Sequence, residues 1–470
     1  MSTLAPVQLE AITRANGRRG YAYFMEMGLG KSLTVLTEFK AMRMGGTVSK
    51  LVVICPNSFK GGWAGEISKH RTGLSCMVYA SGRKFDPSPL IDVLIINYEA
   101  ARTPNGIAAI LYFTNWGKTP SYLALDESIK LKNRNSKQSQ AIIGKLRKGE
   151  IVGGFTKIFK VVRALSGKPI TQGPHDLWSQ LVAIGEMSMS YYGFQARYCQ
   201  LGGWMNQQIV GVLNEDDLQE RLAKVSFQAK KKDWLKGLPP KVYSTRRYEL
   251  IGALKRHYDE MEEDFLTYLK GEVVSVQIAL SKYEKLAQIQ CGFIIKENSE
   301  VEWIVEPEHN TRLKLLQEIL DEEVTGKAVI VYRHKAVGEL LYAQFKADRA
   351  YVPWIHGGMT TLAIDVEKQQ FEKPECALML LQADAGKYGH TLVGTAEEPC
   401  GTMIFFENTY SLDTRSQIED RIHRMGTIAE SCLYVDLSGS DIDERITRAL
   451  QRKENMFQAV FPTINLKEAA

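Results

Sequence analysis

The stretch MEMGLGKS has the residue types of a phosphate-binding loop. Gly28 and Gly30 let a backbone turn tightly and point its N–H groups inward, and a following helix would add its positive N-terminal end. Lys31 would meet the β- and γ-phosphates of a nucleotide, and Ser32 would ligate Mg²⁺. The standard pattern G-x-x-x-x-G-K-[ST] is not met, because Met25 occupies the position of its first glycine. A glycine-rich turn that caps a helix is the alternative interpretation.

Two adjacent carboxylates suggest the partner of such a loop. In SYLALDESIKLKN, residues 121–133, Asp126 and Glu127 follow directly after an apolar run. Asp126 would hold Mg²⁺ through water, and Glu127 would polarise the attacking water. The bound cation would also relieve the repulsion between the two carboxylates. An exposed strand end with two acids is the alternative, and the upstream sequence GLGKS makes it the weaker one.

A pair of arginines in SQIEDRIHRMG supplies a third candidate element. Arg421 and Arg424 are spaced i, i+3, so a helix would present both on one face. As an isolated pair they suit a charged solvent face. In a nucleotide enzyme with two lobes they would be the cations that stabilise the γ-phosphate in the transition state.

The candidate residues must be positioned by secondary-structure elements. The sequence indicates such elements as continuous apolar runs separated by helical patterns. Such runs are typical of parallel strands that are buried on both faces. The pattern therefore predicts an α/β protein with one open parallel sheet in each half of the chain. The predicted strands are YAYFM, KLVVICP, DVLIINYE, YLALDE and VRALSG in the first half and KAVIVYRH, AYVPWIHG, ALMLLQAD, GTMIFFEN and SCLYVDLS in the second.

The region between the two sets of strands is mostly polar and helical in pattern. We place a domain boundary near LPPK, whose two prolines favour an extended, stiff segment. The predicted domains are an N-terminal lobe, 1–236, with a helical insertion at about 176–225, and a C-terminal lobe, 237–470, with a helical insertion at about 252–300.

Composition narrows the class of protein. A chain of 470 residues with 44 % apolar and 24 % charged residues is typical of a folded protein with more than one domain. It has no apolar run long enough to span a bilayer, and its N-terminus lacks a secretory pattern. Seven scattered cysteines favour free thiols over disulfides or a zinc site. Residues 130–168 carry eleven Lys or Arg and one acid, which indicates a solvated surface or an anion-binding face.

With these motifs in order along the chain, the sequence resembles the motor core of superfamily-two helicases, in the Swi/Snf-like branch of double-stranded DNA translocases. The resembling segments are LAPVQ, MEMGLGKS, CPNSFKGGWAGEI, NYE, DESIKLKN, LSGKPITQGPHDLWSQL, LPPK, ADAGKYGHTL and QIEDRIHRMG. The resemblance implies two RecA-like lobes in tandem, with ATP and Mg²⁺ as cofactors. Three departures from the family pattern bear on how ATP hydrolysis is coupled to the rest of the motor. Ile129 replaces a usual His, Lys168 replaces a usual Thr, and QAKKK stands where a basic pair is expected before LPPK.

The resemblance also implies roles for particular residues. Catalysis is assigned to Lys31, Glu127, Arg421 and Arg424. Nucleotide binding is assigned to Gln8, which would read adenine, and to Met27, Gly28, Leu29, Gly30, Lys31, Ser32, Asp126 and Gly389, with Ser32 and Asp126 at the metal. Contacts to DNA phosphates are assigned to Asn57, Ser58, Lys60, Lys132, Asn133, Arg134, Arg333 and Lys387. Trp63 and Tyr98 are expected to be packing groups rather than platforms for bases.

The expected function is that of a DNA-dependent ATPase that moves along duplex DNA without reading its sequence. A strand-separating or branch-remodelling helicase is the nearer alternative, and a non-catalytic DNA clamp is the more distant one. The insertions show no evident aromatic-tipped hairpin that could act as a wedge, which favours translocation. The expected location is the cytoplasm of a bacterial or phage-infected cell, or the nucleus if the source is eukaryotic.

Overall fold

The computed structural model describes residues 4–82, 85, 89–147, 150–202, 208–235, 237–271, 276–386, 391–424 and 426–460. The chain divides into two compact units: Met1–Lys236 together with Arg452–Ala470, and Gly237–Gln451. The sequence assigned the whole C-terminus to the second lobe. The structure corrects that assignment, because the segment from Arg452 packs with the first unit.

The first unit is built on a parallel sheet. Its strands are β1 Gly20–Met25, β2 Lys50–Cys55, β3 Cys76–Val78, β4 Val93–Asn97, β5 Ser121–Leu125, β6 Lys145–Arg147, β7 Glu150–Val152, β8 Val161–Leu165, β9 Cys199–Gly202, β10 Gln208–Val212 and β11 Ser226–Ala229. Within the described residues the large sheet has the order β11-β1-β8-β5-β2-β4-β3, and all of its pairs are parallel. The pairs β6–β7 and β9–β10 are antiparallel.

Helices cover both faces of this sheet. They are α1 Pro6–Ala15, α2 Lys31–Met44, α3 Lys60–Lys69, α4 Tyr98–Ala101, α5 Pro104–Phe113, α6 Lys137–Ile143, α7 Asp176–Ile184, α8 Tyr191–Tyr198, α9 Glu215–Val225 and α10 Lys231–Trp234, with 3₁₀ turns at Asn57–Phe59, Ser128–Leu131 and Thr156–Ile158. Alternate residues of β1 enter different apolar clusters, Ala22 and Phe24 in one and Tyr21 and Tyr23 in the other. The strand is therefore buried on both faces, as its continuous apolar run predicts.

The second unit has its own parallel sheet. Its strands are β12 Lys241–Arg247, β13 Phe293–Ile295, β14 Val301–Trp303, β15 Lys327–Tyr332, β16 Trp354–Ile355, β17 Leu378–Gln382, β18 Cys400–Phe405 and β19 Cys432–Ser438. Among the residues described, the sheet order is β12-β19-β18-β15-β17-β16 with parallel pairs, and β13–β14 is a separate antiparallel pair.

The helices of the second unit are α11 Gly252–Gly271, α12 Val276–Gln290, α13 Thr311–Glu322, α14 Lys335–Lys346, α15 Thr361–Phe371, α16 Ala383–Gly386, α17 Leu412–Glu419 and α18 Asp441–Val460, with a 3₁₀ turn at Pro307–His309. Helix α18 begins in the second unit, and its residues from Arg452 belong to the first. Two parallel sheets with flanking helices confirm the predicted fold class. Within the described part of the chain, no helix combines the length and apolarity needed to cross a bilayer.

Two expectations about the regions outside the sheets need correction. The predicted helical insertion at about 176–225 is not wholly helical, because it also contains the antiparallel strand pair β9–β10. Its connecting residues 203–207 lie outside the described residues. In the basic stretch 130–168, Arg163 is not a surface residue: it is fully buried and paired with Glu38 at 2.6 Å.

Candidate nucleotide-binding and hydrolysis site

The loop after β1 has the conformation of a phosphate cradle. Gly28 and Gly30 have φ angles of 87° and 78°, in the left-handed region that favours glycine, and α2 begins at Lys31. The Lys31 ammonium donates to the carbonyl oxygens of Met25 at 2.8 Å and Glu26 at 3.5 Å. The lysine therefore lies folded over the loop, and Ser32 occupies the first turn of the helix whose N-terminus ends the loop.

Gln8 lies against the same loop. Its amide nitrogen is 3.5 Å from the Leu29 oxygen and 3.4 Å from the Gly30 oxygen, and its Oε1 accepts from the Ala5 N–H at 2.9 Å. A Cβ atom on Gly30 would lie 2.0 Å from Gln8 Nε2. Gly30 is thus required both for its φ angle and for the close approach of Gln8. The structure brings the expected adenine reader to the edge of the cradle.

The carboxylate pair follows β5 at the carboxyl edge of the sheet. Asp126 accepts from the Trp63 indole N–H at 2.8 Å and from the Glu127 N–H at 3.1 Å, while the Tyr98 hydroxyl donates to its carbonyl oxygen at 2.9 Å. Burial raises the pKa of Asp126, and the Trp63 hydrogen bond and the Lys31 charge oppose that rise. Trp63 and Tyr98 are buried as expected, but they also orient Asp126.

Glu127 has an unusual backbone for a residue with a side chain. Its φ and ψ are 51° and 55°, and its side chain is largely buried. A left-handed conformation of this kind costs about 1 kcal/mol or more and persists where the surroundings impose it. Here it ends β5 sharply and begins the 3₁₀ turn Ser128–Leu131.

Strand order adds residues to the site that the sequence did not identify. β8 and β11 flank β1 on either side, so the turns after them border the nucleotide loop. A Cβ atom on Gly167 would lie 3.4 Å from the Met27 nitrogen and 3.6 Å from Lys31 Nζ. On the other side, the Lys231 N–H donates to the Glu26 carboxylate at 2.7 Å. In the sequence, the run QAKKK draws attention to Lys231. Its position beside the nucleotide loop follows only from the pairing of β11 with β1.

A hydrogen-bonded path joins Ser128, the residue after Glu127, to the turn after β8. The Ser128 hydroxyl donates to Gln180 Oε1 at 2.8 Å, and the Gln180 amide donates to the Pro169 oxygen at 2.7 Å. Ile129, at the position where the related motif has His, is buried. In this chain the neighbouring Ser128, through Gln180, supplies a polar link between the two segments.

The second unit places the predicted arginine pair differently from the expectation. Helix α17 ends at Glu419, so Arg421 and Arg424 lie in the turns that follow it and not on one helix face. Arg421 is fully buried, and its Nε donates to the Gly386 oxygen at 2.9 Å. Arg424 donates to the Asp420 oxygen and to the Thr391 hydroxyl, each at 2.9 Å. Their catalytic role stays a prediction.

The candidate DNA contacts of the first unit fall in two exposed segments. Asn57 and Ser58 are exposed in the 3₁₀ turn after β2, and Lys60 begins α3. In the second segment Asn133 is exposed, while the Lys132 ammonium donates to the Thr171 hydroxyl at 2.9 Å. The Arg134 guanidinium lies 4.3 Å from the Tyr191 ring centre and 5.0 Å from that of Tyr192. Their contacts with DNA phosphates stay predictions.

The candidates of the second unit are embedded in an acidic network. Arg333 forms an ion pair with Glu284, and its N–H donates to the Glu407 carboxylate at 2.7 Å. The neighbouring His334 holds the same carboxylate through Nδ1 at 2.5 Å. Lys387 and Gly389 lie outside the described residues.

The chemistry of the first site fits a nucleotide with Mg²⁺. The loop offers an ammonium, a helix N-terminus and glycine N–H groups, which suit phosphates, and Asp126 and Ser32 are oxygen ligands of the kind Mg²⁺ prefers. Among the described residues, no group of three or more His, Cys, Asp or Glu side chains could hold a metal ion. A Mg²⁺ ion at this site would therefore take further oxygen ligands from phosphates and water.

The comparison with family models agrees with this arrangement. Residues 12–292 match the model of the SNF2-related domain. The chain belongs to the SNF2-related domain family. The matched residues include the nucleotide loop, the carboxylate pair and the turns after β8 and β11, and they continue into the second unit.

Individual relatives of this SNF2-related protein are distant. The chain is 23 % identical to the TATA-binding protein-associated factor MOT1 of Saccharomyces cerevisiae, over 93 % of this chain and 26 % of that protein. It is 22 % identical to the putative ATP-dependent helicase/translocase YwqA of Bacillus subtilis, over 94 % of this chain and 46 % of that protein. A solved SWI2/SNF2 ATPase core from Sulfolobus solfataricus in complex with dsDNA is 20 % identical, with a TM-score of 0.42 over 98 % of this chain and 93 % of that one. The chain spans from about a quarter to about half of these two curated relatives.

Proposed function

We propose that this SNF2-related protein is an ATP-dependent translocase on duplex DNA, with ATP and Mg²⁺ as cofactors. The observation that carries the proposal is that the Lys31 ammonium lies close to Gly167 and that its charge opposes the raised pKa of the buried Asp126 carboxylate. Family membership supports it. A cation and a buried carboxylate at the same edge of the sheet suit binding of a polyphosphate and activation of water.

Each residue has a defined task in this proposal. The Lys31 ammonium exchanges its carbonyl acceptors for phosphate oxygens, which are stronger acceptors because they are charged. Bound ATP and Mg²⁺ supply the γ-phosphoryl group and its charge neutralisation. Glu127 orients and deprotonates water, while Trp63 and the Glu127 N–H keep Asp126 in one orientation. The path from Ser128 through Gln180 to Pro169 carries changes at the carboxylates to the turn after β8.

DNA is the proposed partner, gripped through its phosphates. Exposed Asn57, Ser58 and Asn133, with Arg134 and Lys60 nearby in sequence, are short polar and basic groups that hold a backbone without reading bases. The strand pair β9–β10 keeps strand separation as a second candidate, because an antiparallel hairpin is the kind of element that could separate strands.

An ATPase assay tests the proposal directly. Hydrolysis is measured with no nucleic acid, with single-stranded DNA, with duplex DNA and with RNA, at equal nucleotide concentration. Duplex DNA is expected to stimulate hydrolysis most. Equal stimulation by all polymers, or stimulation by RNA alone, contradicts the proposal.

A further inference from the structure

The last turns of α18 contact two lysines of the first unit. Glu454 forms an ion pair with Lys168, and the Lys168 ammonium lies 5.0 Å from the centre of the Phe457 ring. Gln458 accepts from the Lys230 ammonium at 2.6 Å, and Lys230 lies 6.0 Å from the same ring. We call Glu454, Phe457 and Gln458 the C-terminal clamp.

The clamp is anchored in the core of the first unit. Phe457 is 3 % exposed and belongs to the apolar cluster that contains Ala22 and Phe24 of β1 and Ala164 of β8. The Lys168 and Glu454 side chains are 17 % and 31 % exposed, so water screens their attraction less than at an open surface. The attraction between a cation and the face of an aromatic ring further stabilises such a contact.

The two clamped lysines border the nucleotide loop from opposite sides. Lys168 follows Gly167 in the turn after β8, where Gly167 lies close to Met27 and Lys31. Lys230 precedes Lys231 in the turn after β11, where Lys231 is held by Glu26 of the loop. Because β1 lies between β8 and β11, the clamp spans the two turns that enclose the loop.

We propose that Glu454, Phe457 and Gln458 are positioning residues for ATP hydrolysis. They hold the turns after β8 and β11 against the nucleotide loop and so fix the position of Lys31. The inference rests on the proposed function, since it assumes that this loop hydrolyses ATP. Lys168 stands where related sequences usually have Thr. The proposal gives Lys168 a partner, Glu454, with which the shorter Thr side chain could not form an ion pair.

A double-mutant cycle tests the proposal in the full chain. The variants are Glu454→Gln, Lys168→Met and the two combined, with Lys168→Arg as the variant that keeps the charge. Each single variant is expected to lower kcat for ATP by about fivefold with KM changed less than about twofold, because binding groups remain but their alignment is lost. The combined variant should be no slower than the worse single one, and Lys168→Arg should retain most of the rate.

Arg452→Gln is the matched control, since Arg452 is exposed and lies on the same helix close to Glu454 in sequence. It should leave kcat unchanged, and all variants should keep the wild-type unfolding temperature to within a few degrees. Unchanged kcat in both single variants, or losses that simply multiply in the combined variant, would overturn the proposal.

Hydrogen exchange gives a readout that does not depend on turnover. In Glu454→Gln, faster exchange is expected in peptides covering residues 26–31 and 166–168 and not in the sheet of the second unit. Wild-type exchange at residues 26–31 contradicts the inference even if hydrolysis is slow. Failure of duplex DNA to stimulate the wild type would instead count against the proposed function alone.

Discussion

Asp126 and Glu127 are adjacent carboxylates in different surroundings. Asp126 is oriented by two N–H donors, and burial raises its pKa, while the Trp63 hydrogen bond and the Lys31 charge oppose that rise. Glu127 follows it in a left-handed backbone conformation, and its side chain is largely buried. The different surroundings of the two carboxylates suit the two roles that we propose, metal ligand for Asp126 and base for Glu127.

The role of Glu127 can be separated from that of Lys31 by substitution. Glu127→Gln is expected to retain ATP binding and to lower kcat by about 100-fold or more, because an amide cannot accept the proton. Lys31→Ala should instead abolish detectable nucleotide binding. Turnover and equilibrium binding of a fluorescent ATP analogue measure the two effects, and Glu220→Gln, on the surface of α9, is the control. Wild-type turnover in the Glu127→Gln variant would remove Glu127 from the mechanism.

A buried pair in the second unit makes stability depend on pH. Burial would raise the pKa of Glu407, but the His334 charge and the N–H groups of His334 and Arg333 overcome it and lower that pKa to about 2. Burial would likewise lower the pKa of His334, but Glu407 overcomes this and raises it above 6.5. Stability from the histidine is therefore complete below pH 6.5 and is lost as the pH rises through the raised pKa. Stability from the carboxylate is complete above pH 4.5 and is lost as the pH falls towards 2.

Thermal unfolding between about pH 6 and pH 9 checks the histidine. The wild-type unfolding temperature should fall across this range, and His334→Gln should remove much of that slope. His257→Gln, at an exposed position on α11, should leave the slope as it is. Parallel curves for wild type and His334→Gln would show that the pair does not titrate as described.

At the scale of elements, the sequence predicted the strands correctly where a strand is buried along its whole length. β1, β2, β4, β5 and β8 match the predicted runs because each is apolar along its whole length. β11 and β12 were missed because SFQA and KVYSTRR mix polar with apolar residues, as strands at the sheet edge do. The prediction that Arg421 and Arg424 share one helix face was wrong, because α17 ends at Glu419.

The candidate site was predictable in part for the same reason. Asp126 lies directly at the end of a predicted strand, and Lys31 and Ser32 belong to a glycine-rich motif that follows another, so the local sequence indicates their neighbourhood. Gly167 and Lys231 depend on which strands flank β1, and strand order is set by packing of the whole sheet rather than by a local pattern. A local sequence pattern does not show which distant strands pair in the sheet.

One helix start offers a direct test of local stabilisation. The Asn310 side chain is 1 % exposed. It accepts from the N–H groups of Arg312 and Leu313 at 3.1 Å each and donates to the Cys291 oxygen at 2.9 Å. Asn310→Ala should lower the free energy of unfolding by about 2 kcal/mol. Thr360→Ala, which removes the exposed cap of α15, should cost no more than about 1 kcal/mol. Urea unfolding measures both, and equal losses would contradict the importance of burial at Asn310.

At the scale of the whole molecule, translocation and strand separation predict different products. A motor that grips one backbone should displace the third strand of a DNA triplex and leave a forked duplex largely paired. Stimulation by duplex DNA should also fall by about tenfold or more between about 50 and 200 mM salt, as phosphate contacts are screened. Gel assays of triplex and fork, with Glu127→Gln as the control for ATP hydrolysis, decide between the two. Fork opening without triplex displacement would favour the helicase alternative.

The first unit is assembled from two pieces of chain, Met1–Lys236 and Arg452–Ala470, with the second unit between them. Phe457 completes an apolar core whose other members precede residue 226. During synthesis that core therefore stays incomplete until the ribosome has translated the whole second unit and released the segment around Phe457. Closing such a distant contact is slow compared with local folding, so the second unit can fold while the first still lacks its final side chain. Translation products that stop short of Phe457 consequently lack one buried member of this apolar core.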